Sequence, residues 1–146
     1  MPRADFYILT NGTDPDRFAC SLANKAWKQG HTLHILAPDR DAALGLDELL
    51  WTFHDISFLP HAMLENDEAG DVPATIGWPG QTLPQGDVLI NLTSQLPDQA
   101  DGFVRVAEIV AADDDRRRLA RERYRQYRER GFELHSHDLG NEQQHA

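Results

Sequence analysis

Apolar positions keep two clear rhythms in the first half of this chain and a more broken one afterwards. Residues 4–10, ADFYILT, form an aromatic and aliphatic run that stops at Asn11-Gly12, the pattern of a buried strand ending in a turn. A helix is predicted next, over about Asp14 to Gln29. Thr13 or Asp14 caps it, Pro15 suits its first position, Phe18, Leu22 and Ala26 share a face, and Gly30 ends it. HTLHILA, from His31, puts Leu33 and Ile35 on one side of a second strand. DRDAALGLDELLW then spaces Ala42, Ala43, Leu46, Leu49 and Leu50 as a second helix does, with Gly45 weakening it but not breaking it. The order strand, helix, strand, helix favours right-handed crossovers and a parallel sheet covered by helices.

From Thr52 to Pro97 short apolar runs alternate with Pro and Gly: DISFLP, VPATIGWPG and DVLINL. DVLINL, Asp87 to Leu92, has the near-continuous hydrophobicity of a central strand. His61 to Asp71, polar and acidic, reads as a mobile loop. Phe103 to Val110 alternates with period two and predicts another strand, and FELHSHDL a short edge strand. Between them Asp113 to Asp115 open a helix that Gly131 stops. The fold class is α/β: a single domain, residues 1–140, with a mostly parallel central sheet flanked by helices and a frayed tail at 141–146.

Composition narrows the function classes. No apolar stretch approaches the roughly 18 residues needed to span a bilayer, and Arg3 is followed by acids and turn residues before any signal-peptide core can build. A single Cys20 excludes an internal disulfide and reads as a small buried hydrophobe. A soluble cytoplasmic protein with no membrane contact is expected.

Charge changes the picture more. The formal net charge is −10, yet eight of the fourteen Lys and Arg residues fall between Arg116 and Arg130, against only two acids, Glu122 and Glu129. A positive island on an acidic body calls for an anionic partner. On a helical wheel Arg117, Arg121, Tyr124, Arg125 and Arg128 occupy one sector of roughly 100°. Leu119, Ala120, Arg123 and Tyr127 fall on another side, where Leu119 and Tyr127 are expected to anchor the helix to the sheet. The available ion pairs, Arg118 with Glu122 and Glu122 with Arg125, leave most arginines uncompensated, which favours binding of carboxylate or phosphate over a merely solvated face.

Other chemistry has weaker support. Asn11-Gly12-Thr13 lacks a glycine-rich phosphate loop and reads as a structural turn. Asp39, past the second strand, is where a small nucleotide-binding enzyme would hold a ribose hydroxyl, but the glycine fingerprint is missing. His31 with His34, and His135 with His137, lack a third metal ligand of matching spacing. No G-x-S-x-G, H-E-x-x-H or Cys-His signature supports hydrolysis. Trp51, Phe53 and Phe58 form an aromatic cluster that reads as core or as a second docking surface, and Trp78-Pro79 has the same double reading.

FYIL, ALGLDELLWTF followed by SFLPH, IGWPG, DVLINL and LARERYRQYRERGFEL, in that order, resemble the chi subunit family of bacterial DNA polymerase III holoenzyme. The resemblance implies an α/β protein of mononucleotide-binding-like topology with no cofactor and no catalytic activity. It implies an adaptor between the clamp loader and the acidic C-terminal tail of single-stranded DNA-binding protein, meeting nucleic acid only indirectly. The family's tail-binding positions carry over to Arg117, Arg121, Tyr124 and Arg125, on the face that the wheel selects together with Arg128, with Val110 as an apolar contact at the end of the preceding strand. Its surface for the psi subunit, where one is present, or for an accessory helicase carries over to Trp51 and Phe58. Direct binding of single-stranded nucleic acid by the arginine helix is the other reading of the island.

Overall fold

The computed structural model describes residues 2–52 and 59–139. The chain runs β1 (Arg3–Ile8), α1 (Pro15–Lys28), β2 (Leu33–Leu36), α2 (Arg40–Thr52), β3 (His61–Met63), β4 (Ala74–Gly77), β5 (Gly86–Asn91), β6 (Phe103–Val110), α3 (Asp114–Glu129) and β7 (Glu133–Asp138). The strands form one seven-stranded sheet in the order β3-β4-β2-β5-β6-β1-β7, and every pairing is parallel. DVLINL lies in the middle as β5, and FELHSHDL supplies the edge strand β7. Phe53, Phe58 and the tail at 141–146 fall outside the described residues.

Connection direction decides where the helices lie. The link from β1 to β2 passes β6 and β5 in one direction, and the link from β6 to β7 passes β1 in the other. Right-handed crossovers of opposite direction put their helices on opposite faces. Ala19, Cys20 and Ala23 of α1 and Ala43 and Leu46 of α2 therefore share one core with Tyr7 and Leu9, while Ala120 and Tyr127 of α3 share a second with Ala4 and Phe6. Adjacent β1 and β6 thus send their carboxyl ends to opposite faces, which makes their junction the topological switch point where parallel sheets open a crevice.

Two details depart from the expected pattern. The buried residues of α1 are Ala19, Cys20, Ala23, Asn24 and Ala26, with Phe18 and Leu22 at the flanks. Small residues let the helix sit close to the sheet, and larger ones fill the sides. His61 to Asp71 is not a loop throughout: His61–Met63 is buried as β3, and Asp67–Asp71 forms a short 3-10 turn. The His61 ring makes this possible, because its nitrogens meet the Leu59 carbonyl at 2.8 Å and the Asp47 carbonyl at 3.2 Å.

On the α1 face one buried carboxylate ties three strands together. Asp5 of β1 accepts from Arg3 at 2.9 Å and from Arg105 of β6 at 2.8 Å, and lies 2.9 Å from His137 of β7. Burial alone would raise the Asp5 carboxyl. The hydrogen bonds from Arg3 and His137, with the Arg105 charge, outweigh it and hold Asp5 below the usual carboxylate range.

Candidate protein-interaction groove

The arginine segment folds as α3 because both ends are chemically marked. Asp113 Oδ1 accepts the Arg116 N–H at 2.8 Å, Asp114 and Asp115 sit in the first turn, and Gly131 takes a φ of 85° just past the end. Its buried residues are Ala120, Arg123 and Tyr127; Leu119 is only half-buried. The expected anchor pair is therefore half right. Tyr127 packs edge-on against Phe6 at 5.9 Å, but Arg123 takes the place foreseen for Leu119.

Arg123 can be buried because a buried acid waits for it. Glu108 of β6 is fully enclosed; its Oε1 accepts from Arg123 Nε at 3.0 Å and Asn91 Nδ2 at 3.1 Å, and its Oε2 from Asn91 Nδ2 at 2.9 Å and the Tyr127 hydroxyl at 2.7 Å. Both oxygens accept and neither donates, the arrangement of an ionised carboxylate. Burial raises the Glu108 carboxyl from its ordinary value, and the Arg123 charge, then Asn91 and Tyr127, pull against that rise. Burial beside the Glu108 charge pushes the Tyr127 hydroxyl up as well, so it stays a donor. Arg123 also donates to the Ser94 carbonyl at 3.0 Å.

With that face turned inward, Arg117, Arg121 and Tyr124 come to the side, where they wall a groove of about 370 Å³. Its apolar lining is Phe6, Ile8, Val110, Ala120 and Tyr124, and Ser136 and Asp138 close the side given by β7. Strand register explains the convergence: Ile8 pairs with both Val110 and Asp138, so three carboxyl-terminal strand ends meet beside the switch point. Tyr124 leans on Phe6 at 5.4 Å, and the Arg128 guanidinium lies 5.3 Å from the Tyr124 ring centre. Arg125 is exposed and does not line the groove. Arg118 turns to Asp115 at 3.9 Å and not to Glu122. An apolar pocket with guanidinium groups on one wall suits a chain end that is both hydrophobic and anionic.

Sequence reasoning missed Phe6, Ile8, Ser136 and Asp138, which reach the groove only through strand pairing. It also missed Glu108, although one signal was present: an acid standing in the apolar alternation of Val106 and Val110. Elsewhere Trp51 ends α2 with 54% of its surface exposed and its ring 4.4 Å from that of His61. Trp78 is half-buried, beneath the Arg40 guanidinium at 5.9 Å.

The remaining candidates have structural employment. Asp39 Oδ1 accepts the Ala42 N–H at 2.8 Å and caps α2, and Thr10 and Thr13 join their hydroxyls at 2.8 Å across the Asn11-Gly12 turn. His34 is buried against Thr75, its ring held neutral by a pKa that burial lowers to about 4. His31 lies by Asp87 at 3.7 Å, His135 by Glu133 at 3.5 Å and His137 by Asp5. Among the described residues no group of three His, Cys, Asp or Glu could hold a metal ion, and no helix is long and apolar enough to cross a membrane.

An all-parallel sheet with two helices on one face, and an arginine-walled apolar groove under a third on the other, defines a Rossmann-like α/β protein with a crevice at its switch point. The chain belongs to the family described as DNA polymerase III chi subunit, HolC, whose model matches residues 1–135. It is 38% identical over 141 residues to DNA polymerase III subunit chi of Pseudomonas aeruginosa, covering 95% of this chain and 98% of that one. It is 35% identical over 143 residues to the Escherichia coli subunit, covering 93% and 97%. The Haemophilus influenzae subunit is 34% identical over 140 residues, covering 94% and 97%.

Proposed function

We propose that this chain is a noncatalytic adaptor of a replicative DNA polymerase III, and that the α3 groove binds the acidic C-terminal tail of single-stranded DNA-binding protein. The groove's chemistry carries the reading. Phe6, Ile8, Val110 and Tyr124 offer an apolar pocket for a terminal aromatic ring, and Arg117 and Arg121 stand beside it to take the terminal carboxylate. Arg128 and exposed Arg125 extend the positive surface toward the preceding acids.

On the clamp-loader side, we assign exposed Trp51 as the contact for a psi subunit or an accessory helicase. Its position supports this division. Trp51 packs on His61 of the edge strand β3, whereas the groove includes β7 at the other edge, on the opposite face. Six strand spacings of about 4.8 Å put those edges roughly 29 Å apart, so both surfaces can be occupied at once.

Calorimetric titration with a synthetic acidic peptide ending in a free aromatic residue tests the tail site. The free-acid peptide binds, and amidating its terminus weakens binding by roughly tenfold or more, the loss of a charge-assisted contact. Equal affinity for the two peptides would refute the carboxylate clamp.

A further inference from the structure

Helix α3 docks on the sheet with a narrow apolar grip. Its buried side chains are one alanine, one arginine and one tyrosine, and the tyrosine ring carries most of the apolar contact, against Phe6 and Phe132. Directional bonds add to it. Arg123 and Tyr127 reach the two oxygens of the same Glu108 carboxylate at 3.0 and 2.7 Å, and Asn91 of β5 holds that carboxylate from the far side. Arg123 also fixes the Ser94 carbonyl, so the helix is bonded to β6 and to the loop after β5.

None of Glu108, Arg123 or Tyr127 lines the groove. Yet Arg121 and Tyr124 each follow a buried residue, Ala120 and Arg123, by one position, and Ala120 itself lines the groove, so the direction of the groove wall follows from that of the buried face. One step of slippage would turn the helix by about 100°.

We propose that Glu108 and Arg123 are positioning residues for the groove: their buried pair, with Tyr127, sets the rotation of α3 and so aims Arg117, Arg121 and Tyr124 at the bound chain end. This rests on the reading of the groove as a tail site. Buried ion pairs are weak sources of net stability compared with apolar residues of similar volume, and their attested use is to fix one geometry. Here the geometry fixed is that of a binding surface.

The test exchanges the network for apolar residues in the full chain. Glu108→Leu/Arg123→Met/Tyr127→Phe removes the ion pair and the hydroxyl together, leaving no charge in the network and leaving Asn91 its bond to the Gln95 carbonyl, and Tyr127→Phe alone serves as the milder variant should the triple fail to fold. Two readouts are taken: affinity for the free-acid peptide, and the NMR cross-relaxation between the Phe6 and Tyr124 rings. The triple variant binds roughly tenfold more weakly, and Tyr127→Phe a few-fold, the scale of effects transmitted without ligand contact. Both variants lose ring cross-relaxation while remaining folded. A network that merely stabilises would shift the melting temperature and leave the folded protein's affinity and ring contact at wild-type values, which overturns the proposal. Should wild-type protein fail to bind the peptide, the tail reading falls, and the ring contact alone decides whether the network aims α3.

Discussion

Arg121 and Tyr124 contribute different things to one groove. Arg121 brings a planar fork of the kind that matches a carboxylate, and Tyr124 a ring fixed between Phe6 and Arg128. Arg121→Ala or Tyr124→Ala is expected to weaken tail-peptide binding at least tenfold by calorimetry, with the far-UV circular dichroism spectrum unchanged, since neither residue belongs to the buried face of α3. Arg121→Lys keeps the charge but loses the two-pronged geometry, and falls between wild type and alanine. Cys20 gives a separate residue-scale outcome. Burial pushes its thiol up to about 12, so a disulfide reagent at pH 8 leaves the folded protein unlabelled and reacts fully once guanidinium unfolds it.

At the scale of elements, α3 depends on its cap and its pin. Asp113→Ala removes the acceptor for the Arg116 N–H and costs about 1 kcal/mol, measured as a shift in the urea midpoint. Glu108→Ala costs more, about 3–5 kcal/mol, because Arg123 stays buried without its counter-charge. The same helix shows what could be read from the residues in advance. Its extent, its caps and the face shared by Arg117, Arg121 and Tyr124 followed from the residue pattern, as did the central place of β5 and the edge place of β7, whereas Arg125 of the same sector stays outside the groove. Two kinds of element did not. β3 is three residues long, too short for any periodicity, and is held by the His61 ring against the chain of α2. Arg123 fell on the packing side of the wheel with no partner foreseen, because its partner lies fifteen positions earlier, on a strand. Likewise Phe6, Ile8 and Asp138 become neighbours of Arg121 only through the register of three strands, which no local pattern encodes.

For the whole molecule, the placement of charge bears on the proposed partner. An acidic body disfavours a long polyanion, whereas an arginine face suits a short anionic end. Single-stranded DNA is therefore expected not to bind at physiological salt in a fluorescence-anisotropy titration, while peptide affinity declines steadily as salt is raised. Stability has its own pH dependence. Asp5 is held below its ordinary value in the folded protein, so its contribution is present above the unfolded value of about 3.9 and is lost as pH falls through the folded one. Urea midpoints taken from pH 7 down to pH 3 should drop more steeply for wild type than for Asp5→Asn, with the difference confined to the acid end.

The strand register also imposes an order in time. Val110 and Ile8 can pair before the rest of the chain is made, but the wall given by Ser136 and Asp138 arrives only when β7 settles beside β1. A chain emerging from the ribosome thus carries its arginines a few residues before the groove gains its closing wall. On the proposed tail-binding reading recognition waits for the last strand, and a polypeptide cut short before Glu133 is expected to keep the charge and lack the grip.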